Sequence, residues 1–432
     1  MWIRETTPNE RRTLTATFAG YAVDGFDYMI YTFLIPTLIA AWGMSKAQAG
    51  YIATGALLTS AVGGWAAGVL ADRYGRVRVL QWTVLWFAFF TFLCGFTQSY
   101  GQLFFARAMQ GFGMGGEWAV GSVLIAETIA ARHRGKAAGL VQSSWAVGWA
   151  ASALAFWGVY SALPPEQAWK ILFWLGIVPA LLILYVRRNV QEPEVYLATR
   201  RAARDTGVKT SFLQIFHRRF LATTILASLL ATGMQGAYYS VTTWLPTFLK
   251  TERQLSVLGT STYLLVLIAG SFAGYLTSAW LTDAIGRRRC FIFFALMGML
   301  LTLSYTQLPI TNSLMLVLGF PLGFFLSGIF SGMGAFLSEL FPNEMRGSAQ
   351  GFCYNFGRAL GASCPALIGV LSSGGAPLGQ TLGVTAACCY GLVVVTALLL
   401  PETQGRELSD LASANQEARI DDVGSTGTAR AA

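Results

Sequence analysis

The chain has 432 residues, of which 54% are hydrophobic and only 12% are charged, and its formal net charge is +9. Soluble domains carry about 25% charged residues, so this composition excludes an ordinary water-soluble protein.

Apolar stretches long enough to cross a bilayer, about 20 residues each, recur twelve times along the chain. The predicted spans are 13–42, 47–71, 77–97, 100–127, 137–160, 168–186, 220–250, 256–282, 289–308, 311–339, 347–373 and 378–400. The first contains two aspartates and is too long for the core of a signal peptide, so we interpret it as a spanning helix. The predicted fold class is an all-α membrane protein with twelve transmembrane helices.

The basic residues are distributed unevenly between the two sides of the membrane. If the N-terminus is cytoplasmic, 24 of the 30 Lys and Arg residues lie inside, four lie outside and two lie within spans. This bias follows the positive-inside rule, so we expect a multi-pass protein of the plasma membrane, most simply a bacterial inner membrane, with both termini cytoplasmic. The basic excess is explained by topology and contact with the lipid bilayer, and we expect no nucleic-acid partner.

The sequence predicts no metal site, no cofactor and no enzyme activity. Six cysteines lie in or beside the spans without metal-ligand spacing, and both histidines fall in loops. No phosphate-binding loop of the Gly-x-x-x-x-Gly-Lys-Ser/Thr type occurs, which excludes ATP-driven transport.

The chain contains an internal repeat. Residues 68–76 (GVLADRYGR) and 281–289 (LTDAIGRRR) place Asp72 and Asp283 211 positions apart. Glu127 and Glu339, each followed seven residues later by Arg-Gly, are 212 apart. We therefore predict two copies of one unit: a six-helix bundle over 1–186, a cytoplasmic basic linker over 187–219, a second bundle over 220–400, and a cytoplasmic, largely disordered tail over 401–432.

Several motifs resemble those of the major facilitator superfamily. The loop at 68–76 resembles its signature, 107–113 (RAMQGFG) resembles its fourth-helix motif, and 401–406 (PETQGR) resembles the C-terminal mark of its sugar-transporter-like branch. The resemblance covers about residues 13–408. It implies two pseudo-symmetric six-helix bundles and secondary transport by alternating access.

Other motifs resemble particular branches of that superfamily. The sequence DGFD at 24–27 resembles the sialate:proton and aromatic-acid:proton symporters. GGEW at 115–118, NFGR at 355–358, and RRN at 187–189 leading to EPE at 192–194 are more similar to the sialate group, which also includes monocarboxylate carriers. One departure is that Asp283 is not followed by arginine, which predicts different gating contacts in the second copy.

Charged residues at membrane depth are candidates for function, because an unpaired charge there costs several kcal/mol. For proton coupling we consider Asp27, Asp24 and Glu117, in that order, since burial favours the neutral form of a carboxyl group. The alternative is a fixed ion pair with Arg107.

Arg358 is the main candidate for substrate binding, because a buried guanidinium can hold a carboxylate through two hydrogen bonds. A structural pair with an acidic residue is the alternative. The other predicted substrate-binding residues are Asn355, Arg107, Gln142, Gln235, Tyr238 and Tyr354, and Tyr239 is a further candidate for the lining. Tyrosines in apolar helices also serve as packing residues.

Charges at the cytoplasmic helix ends are predicted to form an ion-pair latch between the bundles. We expect Asp72 to pair with an arginine across the gap, and Glu127 with Arg134 or with an arginine of a neighbouring helix. Exposed pairs contribute about 0–1 kcal/mol each, which suits a gate that opens in every cycle; anchoring in lipid headgroups is the alternative. The predicted gating residues are Asp72, Arg73, Gly75, Arg76, Glu127, Arg134, Asp283, Arg287, Glu339 and Arg346.

The leading functional hypothesis is a monomeric, proton-coupled importer of a small organic anion such as sialate, a lactate-like acid or an aromatic acid. A neutral-sugar:proton symporter, suggested by the motif at 401–406, and a drug exporter are alternatives. A receptor or sensor that keeps the transporter fold is an alternative of a different class.

Overall fold

The computed structural model describes residues 5–178, 185–186, 189–192, 215–342 and 345–404. In these ranges the secondary structure is helical, and no β-strand occurs. The helices are α1 (Pro8–Trp42), α2 (Lys46–Tyr74), α3 (Arg76–Cys94), α4 (Tyr100–Thr128), α5 (Ala131–Ala162), α6 (Pro165–Trp174), α7 (Arg218–Thr251), α8 (Val257–Ile285), α9 (Arg287–Gln307), α10 (Asn312–Gly328), α11 (Met333–Leu340), α12 (Arg346–Gly361), α13 (Ser363–Ser373) and α14 (Leu378–Leu399).

These helices form twelve membrane spans. A 3₁₀ turn at Leu175–Ile177 continues α6 in the sixth span, α10 and α11 form the tenth, and α12 and α13 form the eleventh. Within the described ranges, eight helical stretches are long and apolar enough to cross a membrane by length and hydropathy alone. Of the remaining spans, the sixth and the eleventh consist of described helices shorter than 18 residues, namely α6, α12 and α13.

Local sequence fixes the ends of the first helix and the start of the second. At the start of α1 the hydroxyl of Thr7 accepts from the N–H of Glu10 (3.2 Å), and the Glu10 carboxylate accepts from the N–H of Thr7 (2.7 Å). Ser45 and Gln48 form the same reciprocal capping box at the start of α2. Gly43, with φ of 62°, ends α1 in the left-handed conformation that glycine adopts readily.

The two bundles use equivalent close contacts between helices. In the first bundle, a Cβ atom at Gly115 of α4 would overlap the Ser60 carbonyl oxygen of α2. In the second, a Cβ atom at Gly323 of α10 would overlap the Leu267 carbonyl oxygen of α8. Small residues at such positions let membrane helices approach closely, and their recurrence supports the predicted pseudo-symmetry.

Two spans of the second bundle are broken. The tenth is interrupted between Gly328 and Met333, and the eleventh, predicted as continuous over 347–373, is interrupted at Ala362. Pro365 lies just after the second break, and proline cannot donate a backbone hydrogen bond. The break lies four residues after Arg358 and therefore close to the predicted substrate site.

The bundles meet on both sides of the molecule's centre. We call the end at which α1 begins the N-terminal face and the end at which α1 stops the distal face. In the distal half, Tyr28 Oη lies 3.1 Å from Thr243 Oγ1, and the N–H of Ala47 donates to Ser373 Oγ (2.9 Å). Toward the N-terminal face, α5 packs against α8. A cavity remains between these two zones of contact.

The predicted linker over 187–219 lies largely outside the described residues, as does the tail beyond residue 404.

Candidate functional site

A narrow cavity lies between the two bundles. Seven of its eleven lining residues are aromatic, which makes the wall largely apolar. The lining residues are Tyr21, Asp24, Met114, Gln142, Trp145, Tyr238, Tyr239, Tyr275, Phe330, Tyr354 and Arg358. Five of the aromatic residues are tyrosines, whose hydroxyl groups join the side chains of Asp24, Gln142 and Arg358 as polar groups of the wall. Aromatic surface with placed polar groups is typical of sites for small organic molecules.

Arg358 supplies the positive charge of the cavity wall. Its side chain projects from α12 and is 5% exposed. The guanidinium carbon lies 5.1 Å from the ring centroid of Tyr354, one helical turn earlier, and the Tyr239 and Tyr21 hydroxyl groups lie within electrostatic range. The arginine is therefore held among tyrosines while it borders the cavity.

Asp24 and Glu117 form a pair of carboxyl groups. Both side chains are 1% exposed, and the two carboxyl groups interact directly. The approach is possible because position 20 is glycine: a Cβ atom there would overlap Glu117 Oε1. Asp24 borders the cavity and senses the charge of Arg358, so this pair can bind a proton next to the arginine.

Asp27 and Arg107 belong to a different cluster. Arg107 Nη1 donates to the backbone oxygen of Asp27 (3.2 Å), and its guanidinium lies 4.9 Å from the ring centroid of Tyr31. Thr91 donates to Asp27 Oδ2 (3.1 Å). Neither Asp27 nor Arg107 lines the cavity. We expected Asp27 to share a face with Asp24, but one helical step of three residues turns it toward α3 and α4.

The other predicted binding residues divide into two groups. Gln142, Tyr238 and Tyr354 line the cavity. Gln235 lies behind the wall, where it donates to the Tyr354 backbone oxygen (2.9 Å) and accepts from Tyr239 Oη (3.2 Å).

Asn355 points away from the cavity. Its Nδ2 donates to the Gly351 backbone oxygen (3.0 Å), and its Oδ1 faces Gly64 of α2. This residue therefore contributes to packing between α12 and α2.

Sequence reasoning missed five lining residues: Tyr21, Met114, Trp145, Tyr275 and Phe330. Helical spacing could have found two of them, since Tyr21 precedes Asp24 by three residues and Trp145 follows Gln142 by three. Trp145 is informative because its Nε1 donates to Tyr238 Oη (2.7 Å), which links α5 of one bundle to α7 of the other across the cavity.

The gating candidates form matching clusters at the N-terminal face of each bundle. Arg76 Nη2 lies 3.1 Å from Glu127 Oε1, and Arg287 Nη2 lies 3.0 Å from Glu339 Oε1. Arg287 also pairs with Asp283, so the second copy is well connected although it lacks an arginine after that aspartate. These pairs join helices of one bundle, and the Glu127 pair involves an arginine of a neighbouring helix, as we expected. The latch between bundles stays a prediction, because the Asp72 side chain lies outside the described part of the structure.

Of the remaining gating candidates, Gly75 has φ of 107°, a conformation that favours glycine at this turn. The Arg73 guanidinium lies 5.3 Å from the Tyr74 ring centroid. Three further side chains lie outside the described part of the structure: Asp72, Arg134 and Arg346.

Two glutamates complete these clusters by capping helices. Glu192 Oε2 accepts from the N–H of Arg76 at the start of α3 (2.8 Å), and Glu402 Oε1 accepts from the N–H of Arg287 at the start of α9 (2.9 Å). A carboxylate at a helix N-terminus satisfies free N–H groups and opposes the helix dipole. The two glutamates are 210 residues apart and extend the internal repeat.

Comparison with known proteins gives consistent results. The Major Facilitator Superfamily profile matches residues 17–363 and 268–420. A probable 4-methylmuconolactone transporter of Cupriavidus pinatubonensis is 40% identical over 414 residues, which cover 96% of each chain. The cis,cis-muconate transport protein of Acinetobacter baylyi is 32% identical over 90% of this chain and 93% of that relative.

Among solved structures, the proton:xylose symporter XylE of E. coli, bound to 6-bromo-6-deoxy-D-glucose, matches with a TM-score of 0.73 and 18% identity. The match covers 94% of this chain and 99% of that one, and at this identity it shows the shared fold. The twelve spans, the repeated charge clusters, the profile match and the two relatives together show that the chain belongs to the Major Facilitator Superfamily.

Proposed function

We propose that this protein imports a small unsaturated or aromatic carboxylate together with a proton, by alternating access. The observation that carries the proposal is the position of Arg358, which borders an aromatic cavity shared with the Asp24–Glu117 carboxyl pair. A guanidinium that would bind an anion, aromatic rings that would pack against an apolar group, and carboxyl groups that would bind a proton thus lie around one cavity.

Arg358 would bind the carboxylate of the substrate. Its planar guanidinium stays protonated at any physiological pH and can donate two parallel hydrogen bonds to a carboxylate. The surrounding tyrosine rings exclude water from this contact, which strengthens it. A neutral molecule would leave the buried positive charge without a new partner.

The aromatic wall would select the rest of the substrate. Tyr21 and Trp145 have ring centroids 5.2 Å apart, and Tyr238 and Phe330 have centroids 5.3 Å apart. Flat unsaturated groups, cyclic or open-chain, pack well against such surfaces. The names of the two relatives, a 4-methylmuconolactone transporter and a cis,cis-muconate transport protein, agree with this preference.

The carboxyl pair would couple transport to protons. Two carboxylates in contact repel each other, so one proton is readily shared between them. A monocarboxylate that enters with one proton adds no net charge to the site. The cycle would then bind both from the distal face, which we assign to the outside because basic residues concentrate at the N-terminal face.

Uptake by reconstituted protein tests the proposal. Liposomes with an imposed inward proton gradient should accumulate labelled 4-methylmuconolactone, and collapse of the gradient should stop accumulation. Arg358→Lys should weaken affinity by about tenfold or more, because the bidentate contact is lost. Arg253→Lys is the matched control, since that arginine donates to Ile310 at the distal face, away from the cavity.

Unchanged affinity in Arg358→Lys would contradict the carboxylate clamp. Accumulation that is indifferent to the proton gradient would contradict symport, and competition by neutral sugars would favour a sugar symporter instead.

A further inference from the structure

The break in the eleventh span is bridged by a side chain from the other bundle. Thr54 of α2 donates its hydroxyl hydrogen to the Ala362 carbonyl oxygen (2.6 Å) and accepts from the N–H of Ala366 (3.2 Å). In an uninterrupted helix these two backbone groups, four residues apart, would bond to each other. The hydroxyl group therefore occupies the place of one helical hydrogen bond.

The Thr54 hydroxyl group is connected to Arg358 through one further backbone hydrogen bond. Ala362, which accepts from Thr54, donates its own N–H to the Arg358 carbonyl oxygen (2.9 Å). Arg358 lies on the N-terminal side of the break and borders the cavity, whereas Ala366 lies on the distal side. The position of α2 thus affects the geometry of the helix that carries the arginine.

Neighbouring contacts place Thr54 in the zone that closes the distal side. A Cβ atom at Gly50, one turn earlier in α2, would lie 2.5 Å from the Pro365 carbonyl oxygen. At the start of α2, the N–H of Ala47 donates to Ser373 Oγ at the end of α13. Alternating access requires these contacts between bundles to separate when the distal side opens.

We propose that Thr54 is a positioning residue that couples closure of the distal face to the conformation of the Arg358 helix. When the distal face is closed, the hydroxyl group satisfies the broken backbone and holds α12 and α13 at an angle. When the face opens, Thr54 withdraws, and the freed Ala362 carbonyl and Ala366 N–H groups pair with each other. That pairing releases the span from α2 and moves Arg358 relative to the cavity.

The physical basis is the cost of leaving backbone polar groups without partners in a membrane protein. Each such group costs several kcal/mol in lipid, so a break in a spanning helix persists only where something satisfies it. Here Ser363 Oγ of the span itself donates to the Leu360 carbonyl oxygen (2.7 Å), and Thr54 of the opposite bundle bonds to Ala362 and Ala366. The link to the substrate depends on the proposed function of Arg358, whereas the link between Thr54 and distal closure does not.

Two substitutions of Thr54 distinguish the effect of the hydroxyl group from the effect of the side-chain shape. Thr54→Val keeps the volume and removes the hydroxyl group, while Thr54→Ser keeps the hydroxyl group. Thr59→Val is a matched control on the same helix, because Thr59 donates to the Ala108 carbonyl oxygen of α4 within one bundle (2.6 Å). Hydrogen–deuterium exchange of the purified full-length protein in nanodiscs, without ligand, reports which face is open.

Thr54→Val should shift the equilibrium about three- to tenfold toward the distal-open state, the effect of losing one or two net hydrogen bonds. Exchange should then rise in peptides from 46–54 and 363–373 and fall in peptides from 131–139 and 279–286. Thr54→Ser and Thr59→Val should resemble the wild type. Exchange that rises only around the break, or not at all, would overturn the proposal, as would a Thr54→Ser pattern equal to that of Thr54→Val.

Addition of 4-methylmuconolactone or cis,cis-muconate to the same samples tests the substrate separately. If neither acid alters exchange in the wild type, the proposed function loses its support, while the ligand-free comparison still decides the role of Thr54. The opposite result is also informative. If an acid alters exchange in the wild type, while ligand-free Thr54→Val shows the same exchange as the ligand-free wild type, the role of Thr54 is excluded and the proposed function stands.

Discussion

The carboxyl group of Glu117 on α4 lies beside that of Asp24 on α1 because residue 20 of α1 is a glycine. A Cβ atom at Gly20 would overlap Glu117 Oε1. Both side chains are buried, and Asp24 faces the same cavity as Arg358. The absence of a side chain at Gly20 of α1 thus permits the Asp24–Glu117 carboxyl pair to form beside the cavity that Arg358 borders.

Gly20→Ala should uncouple transport while the protein stays folded. The added methyl group displaces the Glu117 carboxyl group from Asp24, and we expect proton-driven uptake to fall by about tenfold or more, as is common when a functional group is displaced by about 1 Å. Uptake under a fixed proton gradient and the thermal unfolding midpoint measure the two effects. Gly158→Ala is the control, because a Cβ atom there meets open space; equal uptake in both variants would contradict a role for the carboxyl pair.

Asp24→Asn should separate exchange from accumulation. The variant cannot release a proton at this position, so uphill accumulation driven by a pH gradient should be lost. Exchange of labelled for unlabelled substrate needs no net proton movement and should persist within about threefold, a loss of under 1 kcal/mol. Counterflow in liposomes measures this exchange. Accumulation that survives in both Asp24→Asn and Glu117→Gln would exclude the pair as the coupling site.

Asp27→Asn should reduce stability more than Thr91→Val does. The first change removes a buried carboxyl group that interacts electrostatically with the Arg107 guanidinium, which itself donates to the Asp27 backbone oxygen. The second removes only the hydroxyl group that donates to Asp27 Oδ2. We expect a cost of about 3 kcal/mol for the uncompensated buried charge and about 1 kcal/mol for the lost hydrogen bond. Thermal unfolding in detergent compares the two, and the reverse order would mean that Asp27 does not neutralise Arg107.

Glu402→Gln should destabilise the second bundle. Glu402 accepts from backbone N–H groups at the start of α9, where a negative charge is favourable. The amide is neutral and offers one acceptor oxygen, so we expect a loss of about 1–2 kcal/mol in the free energy of unfolding. Glu166→Gln, at an exposed position in the first turn of α6, should change stability by less than about 0.5 kcal/mol. Similar values for both variants would contradict the capping role.

Trp145 should contribute a ring surface and a hydrogen bond that can be measured separately. Trp145→Phe keeps an aromatic ring but loses the donor to Tyr238 Oη, and Trp145→Ala loses both. We expect affinity for an unsaturated acid to fall by about threefold in the first and about tenfold or more in the second. Thermal stabilisation by 4-methylmuconolactone at several concentrations gives the affinities. Trp145→Ala with unaltered affinity would exclude the indole from the binding site.

The sequence determined the spans, the repeat and the identity of the buried charges. A membrane helix satisfies its own backbone and faces lipid, so its hydrophobicity is a local property that can be read along the chain. The charged residues at membrane depth could be named for the same reason, and the glutamate at 117 and the arginine at 358 were found by that rule. Offsets of 211 and 212 residues between matching landmarks revealed the two halves before any contact was known.

Only the tertiary structure decided which charges share a cavity. Asp24 and Asp27 are one turn apart on α1, yet the first borders the cavity with Arg358 and the second contacts Arg107 and Thr91 outside it. Their partners lie on other helices, so the division depends on the rotation of each helix in the bundle. Helix rotation is set by close packing between segments distant in sequence, which no local pattern records. The break at Ala362 depends in the same way on Thr54, whose hydroxyl group arrives from the opposite bundle.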